Sequence, residues 1–253
     1  MPTIFDLERI AAAHWRGTEE ERLGDWLLRA AAGFTGRANS ALALGDPGLP
    51  LDEALAVVTG WYRDRGLPPM IALPLPLEAG IAGDALDADL SRRMWPTRPG
   101  PAFVMVADLP LGIPMDGLGA GREVRSSREP DDAWAARYHY RGQEYLPPVA
   151  RRVLTSAADQ SFVSICDGAE ILAIARLSIA EGWAGLTAVE VHPDHRRQGL
   201  GAAITAAACR EAELRAIRHV FLQVEVGNRP ARTLYERLGF RYAHRYHYRI
   251  APA

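Results

Sequence analysis

Val189-Glu190-Val191-His192-Pro193-Asp194-His195-Arg196-Arg197-Gln198-Gly199-Leu200-Gly201-Ala202 is the stretch from which the chain is best read. Val189 and Val191 read as the end of a buried strand, His192 to Asp194 as a turn, and the glycines as the mouth of a helix. Two glycines there let backbone approach a ligand closely, and the free N–H groups of a first helical turn face outwards with the positive end of the helix dipole behind them. Arg196 and Arg197 add mobile positive charge. The segment Arg196, Arg197, Gln198, Gly199, Leu200, Gly201 and Ala202 thus has the makings of a pyrophosphate cradle, although a glycine pair standing alone is also ordinary turn chemistry.

A second segment follows in the right place. Val220 to Val226 reads as a strand, and Gly227-Asn228-Arg229-Pro230-Ala231-Arg232-Thr233-Leu234-Tyr235-Glu236-Arg237-Leu238-Gly239-Phe240 reads as a capped helix with its stop. With both segments in view the chain resembles the GNAT superfamily of acyl-CoA-dependent N-acyltransferases. Arg196-x-x-Gly199-x-Gly201 matches the Q/R-x-x-G-x-G/A signature, and Asn228 to Phe240 match N-x-x-A-x-x-L-Y-x-x-x-G-F. The resemblance is specific over residues 161–249 and loose before that.

It implies an α/β (α+β) fold with a mixed, mostly antiparallel sheet whose fourth and fifth strands splay apart. The pantetheine arm of acetyl-CoA lies in that gap and pairs with the fourth strand, here the backbone of Val189, Glu190 and Val191. Tyr235 takes the position of the acid that protonates the departing CoA sulfur, and a phenol, with an ordinary pKa near ~10, is protonated at neutral pH. Its other reading is a helix aromatic packed under Phe240. Asn228 is a helix cap that can also contact the cofactor, and Arg232 reaches either its phosphates or Glu236, one helical turn on.

The general base is left open. Family members that acetylate peptide N-termini often carry a Glu on the fifth strand; here Gln223 stands there, which counts against that substrate class. Glu190, on the facing strand, is the first candidate; Glu225, on the strand face of Gln223, is the second, and an ordered water the third. The expected activity is direct acetyl transfer to the amine of a small molecule or peptide. The alternative keeps the fold as a non-catalytic acyl-CoA-binding or sensing protein.

Composition narrows the rest. The chain has 253 residues and a formal net charge of −2, so no global field draws it to nucleic acid or an acidic membrane. Its 29 basic residues are all Arg, and with no Lys present none can act as base or nucleophile. Cys166 and Cys209 make no disulfide framework and read as core fillers. No signal peptide or bilayer-length apolar run is visible, so a cytoplasmic monomer or homodimer is expected. His192 and His195 flank a turn without sharing a helix face, and no metal is expected. The tail Arg241 to Arg249 alternates basic and aromatic residues; it reads as a last strand with one packed and one wet face, or as a stripe that stacks on bases.

A coarse pass gives, in the C-terminal part, a strand from Arg122, a helix opening near Glu129, and a second helix from Pro147 to Thr155. Strands flank Asp167-Gly168, and the glycine helix, a strand, the Asn228 helix and the tail strand follow. Before it, strand-like Trp26 to Ala30 and Ser40 to Leu44 lead to a helix over Pro50 to Tyr62. A strand over Met70 to Leu75, a helix over Asp84 to Met94 and a strand over Ala102 to Ala107 complete that half. Helix, strand, helix, strand copies the last four elements of the chain. The expectation is two tandem copies of one fold: a degenerate one over residues 1–112, without the glycine signature, and an acyl-CoA-binding one over residues 113–253. An unrelated α/β domain is the other reading of the first part. The joint is placed at Ile113 to Gly119, where Gly and Pro cluster. Arg37, Asn39 and Trp26 are candidate acceptor contacts from the first half.

Overall fold

The computed structural model describes residues 2–78, 85–113, 118–119, 121–139 and 146–252. Thr3 and Asp6 open the chain with a reciprocal capping box, the Thr3 hydroxyl accepting from the Asp6 N–H at 3.1 Å, and start α1 (Ile4–His14). The hairpin β1 (Glu19–Leu23) and β2 (Trp26–Ala30) follows, then β3 (Ala41–Leu42), α2 (Leu51–Arg63), β4 (Met70–Leu75), α3 (Ala85–Arg92) and β5 (Thr97–Asp108). The second half runs β6 (Arg122–Ser127), α4 (Asp132–Arg137), α5 (Pro148–Leu154), β7 (Asp159–Asp167), β8 (Glu170–Ala180) and β9 (Trp183–Val191). It ends with α6 (Leu200–Glu213), β10 (His219–Glu225), α7 (Arg229–Arg237) and β11 (Arg241–Ile250).

All strands join one sheet in the order β1-β2-β3-β4-β11-β5-β10-β9-β8-β7-β6. The expected repeat is there: β3 runs parallel to β4 as β9 runs parallel to β10, and α2-β4-α3-β5 parallels α6-β10-α7-β11. The two copies exchange strands. β11 lies between β4 and β5 of the first half, and β5 lies between β11 and β10 of the second.

Alternation along the strands sorts the helices. Met105, Ala107, Val220, Leu222 and Val224 pack with α6 and α7, whereas Val104, Val106 and Phe221 pack with α1. α2 and α3 cover the α6 side around Ile71 and Leu73, and α4 and α5 cover the α1 side around Phe162 and Ile174. Among the described residues no helix is long and apolar enough to cross a membrane.

The structure adds two elements and changes one expectation. α1 and β1 were not read from the sequence. The tail strand is not wet on one face: it is interior to the sheet, with Tyr246 and Tyr248 packed on the α1 side. On the other side Arg249 Nε donates to Asp87 Oδ1 at 2.7 Å and His247 Nε2 lies 2.8 Å from the same oxygen, because α3 of the first half covers the face that alternation assigned to water. Residues 114–117 of the expected joint, and the Asp84 start expected for α3, lie outside the described residues.

Candidate functional site

β9 and β10 pair only over Ala184–Val220, Gly185–Phe221 and Leu186–Leu222 and then part. Thr187 to Val191 therefore have no strand partner on the gap side. On the other side β9 is bulged: its register against β8 slips between Glu190 opposite Ile174 and Thr187 opposite Arg176, and Ala188 is forced to φ +53°. A bulge turns the strand and leaves backbone groups off the ladder, which suits Val189, Glu190 and Val191 to pairing with an extended ligand. The Val189 and Val191 side chains point the other way and pack against α6.

The loop expected to form the cradle sits at the end of β9. Gly199 caps α6 at φ +79°, a left-handed conformation that glycine adopts without strain, and Arg197 before it is also left-handed at φ +65°. A Cβ on Gly201 would stand 3.0 Å from Leu234 Cδ2, so this glycine lets α6 close on α7. Arg196, Arg197, Gln198 and Gly199 are exposed, whereas Leu200 is buried and Ala202 half-buried. Arg196 Nε reaches back to the Val191 carbonyl at 3.4 Å, and Gln198 Oε1 accepts from Arg122 at 2.8 Å, tying the loop to edge strand β6. The equivalent helix of the first half, α2, opens on Pro50 with Asp52 and Glu53 in its first turn, where acidic charge opposes a phosphate.

Tyr235 is the buried residue of α7, its ring edge-on to Phe240 at 5.6 Å, and burial drives its phenol pKa well up, so it is protonated. Asn228 caps α7 by accepting from the Ala231 N–H at 3.2 Å. Arg232 makes no direct pair with Glu236; it donates to the Val226 carbonyl and the Tyr242 hydroxyl, each at 2.9 Å, and Tyr242 in turn donates to Glu236. Two of the three Arg232 nitrogens are thus committed inside the fold.

Glu190 and Glu225 differ in surroundings. The Glu190 carboxylate accepts the His139 backbone N–H, 3.1 Å from both oxygens, on the α4 side of the sheet. Burial pushes its pKa up, against the opposing pull of His139 and Arg137. Glu225 stands exposed at the end of β10.

The first half closes the gap from the α1 side. Asn39 braces the loop of residues 31–40, accepting from the Ala31 and Gly33 N–H groups and donating to the Phe34 and Thr35 carbonyls, so it is a support and not an acceptor contact. Trp26 lies elsewhere, under α2. Arg37 does reach the gap: its Nη1 donates to Gln223 Oε1 at 2.7 Å and its guanidinium lies 4.6 Å from the centre of the Trp15 ring. From the opposite rim the fully buried Arg176 donates to Thr187 Oγ1 at 3.3 Å, with its guanidinium 5.4 Å from the same ring. Trp15 is pinned by its indole N–H donating to Thr35 Oγ1 at 2.9 Å. Arg176 had a signal in the sequence, as the lone charge in the apolar run Ile171 to Ile179; Trp15 had none once α1 was missed.

His192 and His195, expected to be plain turn residues, are joined by Glu170, whose carboxylate lies 3.4 Å from His195 Nε2; the three offer ligand atoms within 4.8 Å of one another.

The comparisons agree with this geometry. Residues 2–249 match the family model described as probable histone acetyltransferase Rv0428c C-terminal. The chain is 29% identical to the probable histone acetyltransferase Rv0428c of Mycobacterium tuberculosis, over 99% of this chain and 74% of that protein. In structure it is similar to a GCN5-related N-acetyltransferase from Kribbella flavida, with a TM-score of 0.71 at 19% identity over 100% and 97% of the two chains. It is also similar to a tandem GNAT protein from the clavulanic acid biosynthesis pathway, with a TM-score of 0.64 at 17% identity over 90% and 78%. A sheet parted beside a glycine-capped helix, repeated in degenerate form along the chain, is thus the tandem form of a known fold, and the protein belongs to the Rv0428c C-terminal family of GNAT N-acetyltransferases.

Proposed function

We propose that the protein transfers an acetyl group from acetyl-CoA directly to the amine of a small molecule or peptide, in the cytoplasm, with the cofactor held by residues 113–253 alone. The observation that carries this reading is the parting of β9 from β10 beside the left-handed Gly199 cap of α6. The residues fit the cofactor: first-turn N–H groups of α6 with Arg196 and Arg197 for the pyrophosphate, and unpaired backbone at Val189, Glu190 and Val191 for the pantetheine arm. Acetyl-CoA supplies an acyl group activated as a thioester.

The chain's own groups move the protons. Glu190, its basicity raised by burial, relieves the ammonium of a proton so that the nitrogen lone pair is free. As the C–N bond forms and the C–S bond breaks, Tyr235 gives its phenolic proton to the leaving sulfur, and the proton shed by the new amide nitrogen restores the phenol through water. Asn228 caps α7 and so sets Tyr235. Arg232 braces the same helix on β11. Glu225, exposed at the rim, is the weaker candidate for the base.

The test is calorimetric titration of acetyl-CoA together with CoA-thiol release over an amine panel, for the wild type, Gly199→Glu and Tyr235→Phe. Gly199→Glu places an anion where the pyrophosphate is expected and should abolish binding. Tyr235→Phe should bind acetyl-CoA as the wild type does and lose about 10²-fold in kcat. Undiminished turnover in Tyr235→Phe removes the acid assignment, and a folded wild type that binds no acetyl-CoA overturns the activity.

A further inference from the structure

The two strands that part at the gap each hand a polar side chain to an arginine. Thr187, the first β9 residue past the pairing, meets Arg176; Gln223, its counterpart on β10, meets Arg37; both guanidiniums lie over Trp15. Neither has a carboxylate within ion-pair distance among the described residues. Arg176 donates otherwise to the Leu154 and His14 carbonyls, and Arg37 has only the Gln223 oxygen, leaving its Nε and Nη2 without a partner there. Several other arginines do pair with acids, as Arg65 does with Glu19 and Arg151 with Asp132. Glu8, which lines a cavity of about 20 Å³ beneath Arg37, is held by His244 at 2.7 Å.

We propose that the acceptor amine also bears a carboxylate, and that Arg37, with the Arg176 charge behind it, is the residue that binds this group. The assignment rests on the acetyl-transfer reading above. A buried guanidinium without a counter-charge is costly, and two facing one ring leave a positive field that an anion entering the gap relieves. The field is felt within the protein: burial, and next the Arg37 charge, lower the Arg176 pKa to about 9. Arg37 is half-buried beside Gln223, and its two remaining donors suit the planar, bidentate geometry of a carboxylate. A plain ammonium meets two guanidiniums here, against the one Glu8 carboxylate that His244 holds. A zwitterion finds Glu190 on the β9 rim for its ammonium and Arg37 on the β10 rim for its carboxylate, both on the α1 side of the sheet.

The experiment compares matched acceptors, each common L-amino acid, β-alanine and 4-aminobutyrate against its own carboxamide, in the wild type, Arg37→Gln and Arg37→Lys. Two readouts are taken: the ratio of kcat/KM for acid over amide, and the calorimetric Kd of the same pairs, which needs no turnover. In the wild type at least one acid is preferred over its amide by roughly tenfold or more in both readouts. Arg37→Gln brings the ratio towards one, and Arg37→Lys, with the charge but not the fork, keeps part of it. Melting temperatures show that the variants are folded. Equal binding of acid and amide throughout, or a preference that Arg37→Gln leaves intact, overturns the carboxylate assignment. Acid-selective binding without acetyl transfer supports it and counts instead against the activity proposed above.

Discussion

Glu190 and Tyr235 are both shifted by burial, with opposite consequences. Desolvation disfavours the charged form of each, so Tyr235 is held as a proton donor while Glu190 becomes a stronger acceptor once ionised. They lie on opposite faces of the sheet, Tyr235 with α6 and α7, Glu190 with α4. A base must be deprotonated to act, so kcat/KM should rise with pH through an apparent pKa above the ordinary Glu value of 4.5. Glu190→Gln cannot titrate there. It should lose that acidic limb and about 10²-fold in kcat/KM, measured with an amine whose own ionisation lies well above the limb. An unchanged limb in the variant would pass the role to Glu225 or to water.

At the scale of elements, the glycine helix, its two flanking strands and the Asn228 helix were legible because their signals are local. A left-handed glycine, an Asn cap with Pro behind it and an apolar run each declare themselves within a few residues. α1 was not legible, since the partners that bury its polar residues are remote in sequence: Glu8 meets His244, and His14 lies 2.9 Å from Ser178 Oγ and 3.2 Å from the Ala180 carbonyl. Gly185 makes room for that ring, because a Cβ there would stand 2.7 Å from His14 Nδ1. Trp15, which follows α1 and lies under both guanidiniums, stayed hidden for the same reason, although Arg37 did not. Burial, and next the Arg176 charge, lower the His14 pKa from 6.5 to about 4. The unfolded chain then binds more protons between those values, so the associated stability is present above pH 6.5 and lost as pH falls towards 4. The full span corresponds to about 3 kcal/mol. Urea unfolding at pH 7 and pH 4.5 checks this: His14→Gln should narrow the difference between the two pH values by about 2 kcal/mol relative to the wild type. An identical pH dependence in both proteins would place the acid sensitivity elsewhere.

For the whole molecule, the exchange of strands governs how the two copies depend on each other. β5 is hydrogen-bonded along His219 to Glu225 on one side and along Arg241 to Arg249 on the other, and both neighbours belong to the second half. β11 has first-half strands on both sides and carries Tyr246 and Tyr248 into a core shared with α1 and β4. Cutting the chain after Gly112 would leave β5 without its two ladders, β11 without its two, and apolar faces open to water; exposed edges of that kind pair with one another and aggregate. We therefore expect the repeat seen in the sequence to be one of pattern and not of independent folding units. We expect residues 1–112 and 113–253, each produced alone, to lack a cooperative thermal transition, and the two co-expressed to recover the circular dichroism and single melt of the intact chain. The second fragment should bind acetyl-CoA only in the presence of the first, although the cradle lies wholly within it. A cooperative melt for residues 113–253 on their own, with acetyl-CoA bound at the affinity of the intact protein, would instead show that β5 and the first half are an attachment the catalytic copy can do without.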